Sequence, residues 1–240
     1  HMRTTFFTNI THEFRTPLTV ILGLSEQLQK EHSRDTEQGR FLESIQRQGK
    51  SLLRLVNQLL DITRLAAGVS DAQWCQGDIV TYIQKNVAGY VDYARMKKVN
   101  LTFHSDEPQI KTCFIPEYID KILRNLLSNA FKYTPEKGYV AVVLAKEGSH
   151  LVVRITDTGP GFPIEDLPYV FDLFYQGANN GVDTVGTGVG LHFVRQMMEQ
   201  MNGTVEAYNR KEGGAGLVMK LPLNQSTEII CHSVILEEET

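Results

Sequence analysis

The chain has 240 residues, 42% of them apolar and 22% charged, and 24 Lys and Arg stand against 28 Asp and Glu for a net charge of −4. That composition fits one or two globular domains, and the mild acidic balance gives no support to a protein that coats nucleic acid or a membrane surface. No run of about 18 apolar residues occurs, so no segment spans a bilayer by itself. No secretory leader is expected, and His1-Met2 reads as a cloning remnant on a piece cut from a longer chain. Cys75, Cys113 and Cys231 lie far apart with no C-x-x-C spacing, which argues against a zinc ribbon or a redox dithiol and predicts three free, packed thiols.

Residues 3–66 read as two long helices. Phe7, Ile10, Phe14, Pro17, Ile21, Leu24 and Leu28 step alternately by three and four. So do Phe41, Ile45, Gln48, Leu52, Leu55, Leu59, Ile62 and Ala66, a heptad seam with one polar interruption at Gln48. The polar break at 31–36 predicts a helical hairpin. Two helices close no core, so a second copy is expected to complete a four-helix bundle. Phe6, Leu18, Leu22, Leu42, Leu53, Val56 and Leu60 widen the apolar face enough for that. A hairpin packed on its own C-terminal domain is the alternative.

The heptad is lost from residue 67, so a linker is expected over 68–77, with Trp74 as an anchor. Mixed α and β texture follows. A helix is expected over 78–96, a strand over 99–104, and a helix from Pro116 through Ala130. Strands are expected over 139–145 and 151–156, a helix over 191–201, and strands over 204–208 and 216–221. The order predicts an α+β chain: a helical hairpin of 3–67, then a sandwich of 78–223 with helices on one face of a mainly antiparallel sheet, and a tail of 224–240.

Four clusters carry chemistry. His12 lies two residues after the seam position Ile10, about 200° around the helix, and so faces away from the seam. An exposed imidazole is an available nucleophile, and Thr16 at i+4 shares its face. Glu13 is an immediate neighbour, and Pro17 breaks the helix hydrogen bond to the Glu13 carbonyl, at a cost of about 3 kcal/mol. H-E-x-x-T is not the zinc-protease H-E-x-x-H. Next, Asn125 and Asn129 are i,i+4 on one face, away from Leu123, Leu126, Leu127 and Ala130, and Lys132 reaches the same side. Two amide oxygens and a cation suit hydrated Mg²⁺ and a polyphosphate; taken alone, the pair fits two solvent-facing amides equally well. Asp157-Thr158-Gly159-Pro160-Gly161 ends a strand. Its carboxylate can accept from the exocyclic amine of a base, and its glycines let backbone approach a ligand plane, although a plain turn has the same sequence. Last, Gly186, Gly188 and Gly190 open a helix whose amides can meet phosphate. A long polar loop, 176–185, precedes them as a lid, with Phe171, Phe174 and Tyr175 at its base.

The set and its order, H-E-x-x-T-P, N-x-x-x-N, D-x-G-x-G, F-x-x-F and G-x-G-x-G-L, resembles the sensor histidine kinases of two-component signalling over residues 3–223. The hairpin is similar to their dimerisation and phosphoacceptor segment. The sandwich is similar to the ATP-binding domain shared with Hsp90, DNA gyrase and the MutL repair ATPases. The resemblance implies that His12 attacks the γ-phosphate of ATP, that Glu13 orients the imidazole, and that Thr16 positions a water for dephosphorylating the partner. It implies Mg²⁺ on Asn129 with Asn125 close to metal and phosphates, and Lys132 and Tyr133 lining the nucleotide. Asp157 would read the adenine amine over a floor of Gly159 and Gly161, and Gly186, Gly188 and Gly190 would meet the phosphates. It implies a homodimer that passes its phosphoryl group to an aspartate of a response-regulator receiver, separate or in the same full-length protein, and that also removes it. The chain is expected to be the cytoplasmic part of a membrane-anchored bacterial sensor, without nucleic-acid or direct membrane contact of its own.

Leu173 and Gln176 stand where many relatives carry basic residues near the γ-phosphate. They are the support for a rival reading, a degenerate kinase serving as an ATP-gated docking module. The intact His12, Glu13, Asn129 and Asp157 oppose it. A chaperone-like ATPase of the same superfamily is opposed by the hairpin, for which such enzymes have no use.

Overall fold

The computed structural model describes residues 18–28, 37–66, 73–175 and 188–223. The chain divides into two compact units, residues 1–70 and 71–240.

The first unit contains helix α1 (residues 18–28) and helix α2 (Glu37–Ala66). Leu18, Leu22 and Ser25 are buried, and Leu22 lies where a side chain on Gly49 would meet it, so α1 packs along α2 as a hairpin. Lys50 and Glu26 pair across it at 3.3 Å. Two apolar faces now separate. The flanking positions Leu18, Leu22 and Val56 close the hairpin, whereas Ile21, Leu24, Phe41 and Ile45 stay 46–61% exposed. The seam expected from the heptad is therefore the open face of this unit. Gln48, the polar interruption of that seam, is exposed with it, while Gln46 carries a buried Nε2 with no partner among the described residues.

In the second unit, strand β1 (Cys75–Asp78) leads into helix α3 (Ile79–Ala88), helix α4 (Val91–Lys97) and strand β2 (Asn100–Ser105). Strand β3 (Lys111–Phe114), helix α5 (Pro116–Tyr133) and strands β4 (Tyr139–Glu147) and β5 (His150–Asp157) follow. Helix α6 (Gly190–Gln200) and strands β6 (Thr204–Asn209) and β7 (Ala215–Pro222) complete it. The main sheet has the order β2-β4-β5-β7-β6, antiparallel except for β2 beside β4. Strands β1 and β3 form a separate antiparallel pair.

Three departures from the sequence reading have local causes. The helix expected over 78–96 breaks at Gly89-Tyr90, where the α3 cap closes on Lys85 and Val87 while the apolar period runs on. The pair β1–β3 was not expected, because Cys-Gln-Gly-Asp and Lys-Thr-Cys-Phe show no alternation, and β1 overlaps the end of the stretch read as linker. Asp78 justifies that geometry: it ends β1, caps α3 through Val80 N–H and Thr81 N–H, and also accepts from Ile110 N–H at 2.9 Å. Cys75 is free, but Cys113 is held in a disulfide, against the expectation of three free thiols. Trp74 lines an apolar crevice with Ile79, Phe114 and Leu221, as an anchor should.

The core lies between the sheet and α3, α5 and α6. Pro116 starts α5 at a position where its missing N–H costs nothing. Ile119, Ile122, Leu123, Leu126 and Leu127 then bury the inner face almost completely. Below them, Leu151, Val153 and Ile155 form the inward row of β5. The same alternation carries one residue further and turns Asp157 inward.

Candidate functional site

The alternation that buries Ile155 also buries the Asp157 carboxylate, which is only 9% exposed. Its Oδ1 accepts from Gly159 N–H at 2.8 Å and Ala215 N–H at 3.2 Å. Its Oδ2 has no hydrogen bond among the described residues. Burial pushes this carboxyl above its ordinary value, against the pull of those two N–H groups and the Arg210 charge. A carboxylate oxygen left open on an otherwise buried side chain is an acceptor available to a donor on a ligand.

Around it the expected glycines are packed for space. A side chain on Gly159 would meet the Tyr133 carbonyl at 2.8 Å, so the end of α5 lies directly against the Asp157 loop. Gly161 has a φ of +77°, and a Cβ there would lie 2.8 Å from Asn209 Oδ1. Lys132 places its Nζ 4.8 Å from the centre of the Tyr133 ring.

One and two turns back along α5 stand Asn129 and Asn125, both half-buried. Asn125 gives its Nδ2 to the Lys121 carbonyl at 2.7 Å. That turns Oδ1 toward α6, 2.9 Å from where a Cβ of Gly190 would be. Asn129 makes no side-chain hydrogen bond among the described residues. Helix α6 starts at Gly190 without a side-chain cap, so its first amides lie beside Asn125 with no acceptor within the helix. Gly188, at φ +67°, accepts from Phe174 N–H at 2.9 Å. Phe174 is itself left-handed at φ +66°, an uncommon backbone for an aromatic residue. His192 donates from Nδ1 to the Phe171 carbonyl at 3.0 Å, and Arg195 reaches Asp172 at 3.6 Å. Thus the first turns of α6 hold the aromatic segment in place.

The structure therefore brings together Asn125, Asn129, Lys132, Tyr133, Asp157, Gly159, Gly161, Gly188 and Gly190. His12, Glu13, Thr16, Gly186, Pro17 and Gln176 lie outside the described residues. Sequence reading missed Asn209, Arg210 and Gly214, and left His192 unassigned. Asn209 clasps the Phe162 backbone with two 2.7 Å bonds, and Arg210 donates to the Asp157 carbonyl at 3.0 Å. These contacts span about fifty residues and leave no periodic signal; only the paired glycines Gly213-Gly214 mark the turn.

The described residues contain no group of three or more His, Cys, Asp or Glu side chains fit to hold a metal. A metal at this site would rest on amide oxygen and on the ligand's own oxygens, which suits Mg²⁺. The unengaged Asn129 amide supplies such an oxygen.

Comparison with known proteins gives two family matches. Residues 2–68 match "His Kinase A (phospho-acceptor) domain" and residues 115–225 match "Histidine kinase-, DNA gyrase B-, and HSP90-like ATPase". Hybrid signal transduction histidine kinase D of Dictyostelium discoideum is 32% identical over 235 residues, covering 95% of this chain and 15% of that protein. Sensor histidine kinase TmoS of Ectopseudomonas mendocina is 32% identical over 222 residues, 91% of this chain and 23% of that one. The chain thus spans less than a quarter of the length of either relative. Among solved structures, full-length ShkA in complex with AMPPNP is similar with a TM-score of 0.75 and 27% identity, over 91% of this chain and 46% of that one. ThkA in complex with response regulator protein TrrA shares the fold at a TM-score of 0.63 and 19% identity, over 91% of this chain and 61% of that one.

Proposed function

Because the chain belongs to the histidine kinases and carries the core of a protein histidine kinase, we propose that it phosphorylates itself on His12 with ATP and passes the phosphoryl group to a response-regulator aspartate. The observation that carries this reading is the alignment of a buried, half-engaged Asp157 with the Asn125–Asn129 face of α5 and the uncapped start of α6. One end accepts a base amine and the other meets phosphates, so the cleft is organised for a nucleoside triphosphate.

Asp157 Oδ2 takes the adenine amine. Gly159 and Gly161 leave room for the base, and Lys132 and Tyr133 line its way to the phosphates. Asn129 holds Mg²⁺ with Asn125 beside it, and the ion, when bound, offsets the phosphate charge. Gly186, Gly188 and Gly190 present backbone to the phosphates under the lid. His12 attacks the γ-phosphorus through a ring nitrogen as the β–γ bridging bond breaks and ADP leaves. Glu13 accepts from the other ring N–H and orients the imidazole. Catalysis is positioning and charge neutralisation, as in phosphoryl transfer generally.

The same core serves as a phosphatase, with Thr16 placing the attacking water. The ThkA–TrrA complex supports a receiver as the partner. The phosphoacceptor family match and the open apolar face of the hairpin support a homodimer. No described helix is long and apolar enough to cross a membrane, and we place the chain as the cytoplasmic kinase part of a membrane-anchored sensor.

Incubation with Mg²⁺ and γ-labelled ATP tests the reading. Label that is lost in acid, kept in alkali and absent from His12→Ala is expected. Label retained by His12→Ala would give the acceptor role to another residue. Wild-type protein that binds ATP and takes no label would favour the docking-module reading.

A further inference from the structure

Strand β5 ends at Asp157, and the chain then passes through Thr158, Gly159, Pro160 and Gly161 to Phe162. Two glycines in so short a loop, one at φ +77°, leave a soft segment. Its start is tied to β4, where Thr158 N–H donates to the Tyr139 carbonyl at 3.1 Å and Tyr139 N–H donates to Thr158 Oγ1 at 2.9 Å. The remaining hold comes from β6 and the turn that follows it. Asn209 ends β6 opposite Ala215, on the same inward face as Val205 and Ala207. Asp157 reaches the same Ala215 from β5. The two side chains therefore close neighbouring inward rows at one level of the sheet.

Asn209 uses its amide as a short piece of missing strand. Its Nδ2 donates to the Phe162 carbonyl and its Oδ1 accepts from Phe162 N–H, both at 2.7 Å. Arg210 donates from Nη1 to the Asp157 carbonyl at 3.0 Å. The turn that aims it is closed by Arg210 N–H on the Gly214 carbonyl and by Gly213 N–H on the Arg210 carbonyl. Gly214, at φ +100°, lets the turn slide under Asp157, where a Cβ would come within 1.9 Å of the Asp157 carbonyl oxygen.

We propose that Asn209 and Arg210 are positioning residues of the nucleotide site, which hold both ends of the Asp157–Phe162 loop so that Asp157 Oδ2 meets an adenine and not a guanine. This rests on the reading of the cleft as an ATP site. Adenine carries an amine at C6, a donor to Oδ2; guanine carries a carbonyl there, which a fixed carboxylate repels. The discrimination depends on Oδ2 staying in the plane of the base. A loop free to shift lets guanine in and weakens adenine, so the two residues set affinity and base choice while the phosphoryl-transfer step is left to other groups.

The test is titration of ATP and GTP into the full chain and its variants by calorimetry, beside rates of γ-label incorporation against ATP concentration. Asn209→Ala and Arg210→Ala are each expected to weaken ATP about 5- to 30-fold and to shrink the preference for ATP over GTP. KM for ATP should rise far more than kcat falls, and Arg210→Lys should recover part of the loss. If an alanine variant does not fold, Asn209→Asp, which keeps the acceptor for Phe162 N–H and sets a charged oxygen against the Phe162 carbonyl in place of the donor, is expected to weaken ATP and shrink the preference in the same direction. Unchanged ATP affinity, or equal losses for ATP and GTP that follow a lowered Tm, would overturn the assignment. Wild-type protein that binds no ATP would instead overturn the reading of the cleft itself.

Discussion

At Asp157 binding and stability pull in opposite directions. Burial raises its pKa in the folded chain, so the folded state binds this proton more tightly than the unfolded state does. The ionised carboxylate thus costs stability at any pH above its folded pKa, and the cost is relieved as pH falls through that value. If Asp157 accepts the adenine amine as proposed, binding needs the ionised form, and ATP affinity should weaken over the same acid range. Asp157→Asn is expected to lose most of the ATP affinity, because an amide N–H₂ would face the adenine amine. It should also leave Tm at neutral pH unchanged or higher, where a purely structural aspartate would lower it. Calorimetric binding and thermal unfolding on one sample check both. Asn125 and Asn129 were legible from their i,i+4 spacing, since a helix puts such residues on one face whatever surrounds it.

The aromatic segment over 171–175 depends on one element, the start of α6. Gly188 sits at φ +67°, and a Cβ there would come 2.6 Å from the Phe174 carbonyl carbon. Gly188→Ala therefore strains its own backbone and displaces the aromatic segment, at about 1–3 kcal/mol. Triphosphate affinity is expected to fall about 5- to 100-fold, while adenosine, held by Asp157 at the far end, binds as before. Equal losses for ATP and adenosine would mean that the glycine serves the whole cleft. The pair β1–β3 and the break at Gly89 show what pattern does not carry. Four-residue strands bury too few side chains to alternate visibly, and an apolar stripe continues across a turn that keeps its phase.

Across the whole molecule, the hairpin has two apolar faces that differ in burial. Leu18, Leu22 and Val56 close it on itself, and Ile21, Leu24, Phe41 and Ile45 remain open. Ile45→Lys places a charge on the open face and spares the inner one. The variant is expected to be monomeric in sedimentation velocity and the wild type dimeric, with ATP affinity within about two-fold, since Ile45 belongs to a different compact unit from the nucleotide site. A variant that remains dimeric would move the interface to another face.

The amino-acid sequence alone determined the local features: helix faces from a 3.6-residue period, strand faces from alternation, glycines where backbone must approach, and the order of motifs that names the family. These follow from the geometry of a few consecutive residues. The tertiary structure decided which apolar face of the hairpin is inner, because both carry the same period and only packing between α1 and α2 separates them. It also decided that Asp157 is held from β6 and β7. Asn209, Arg210 and Ala215 reach it or its loop across 47 to 58 residues, and such contacts exist only once the sheet's register has brought those strands side by side.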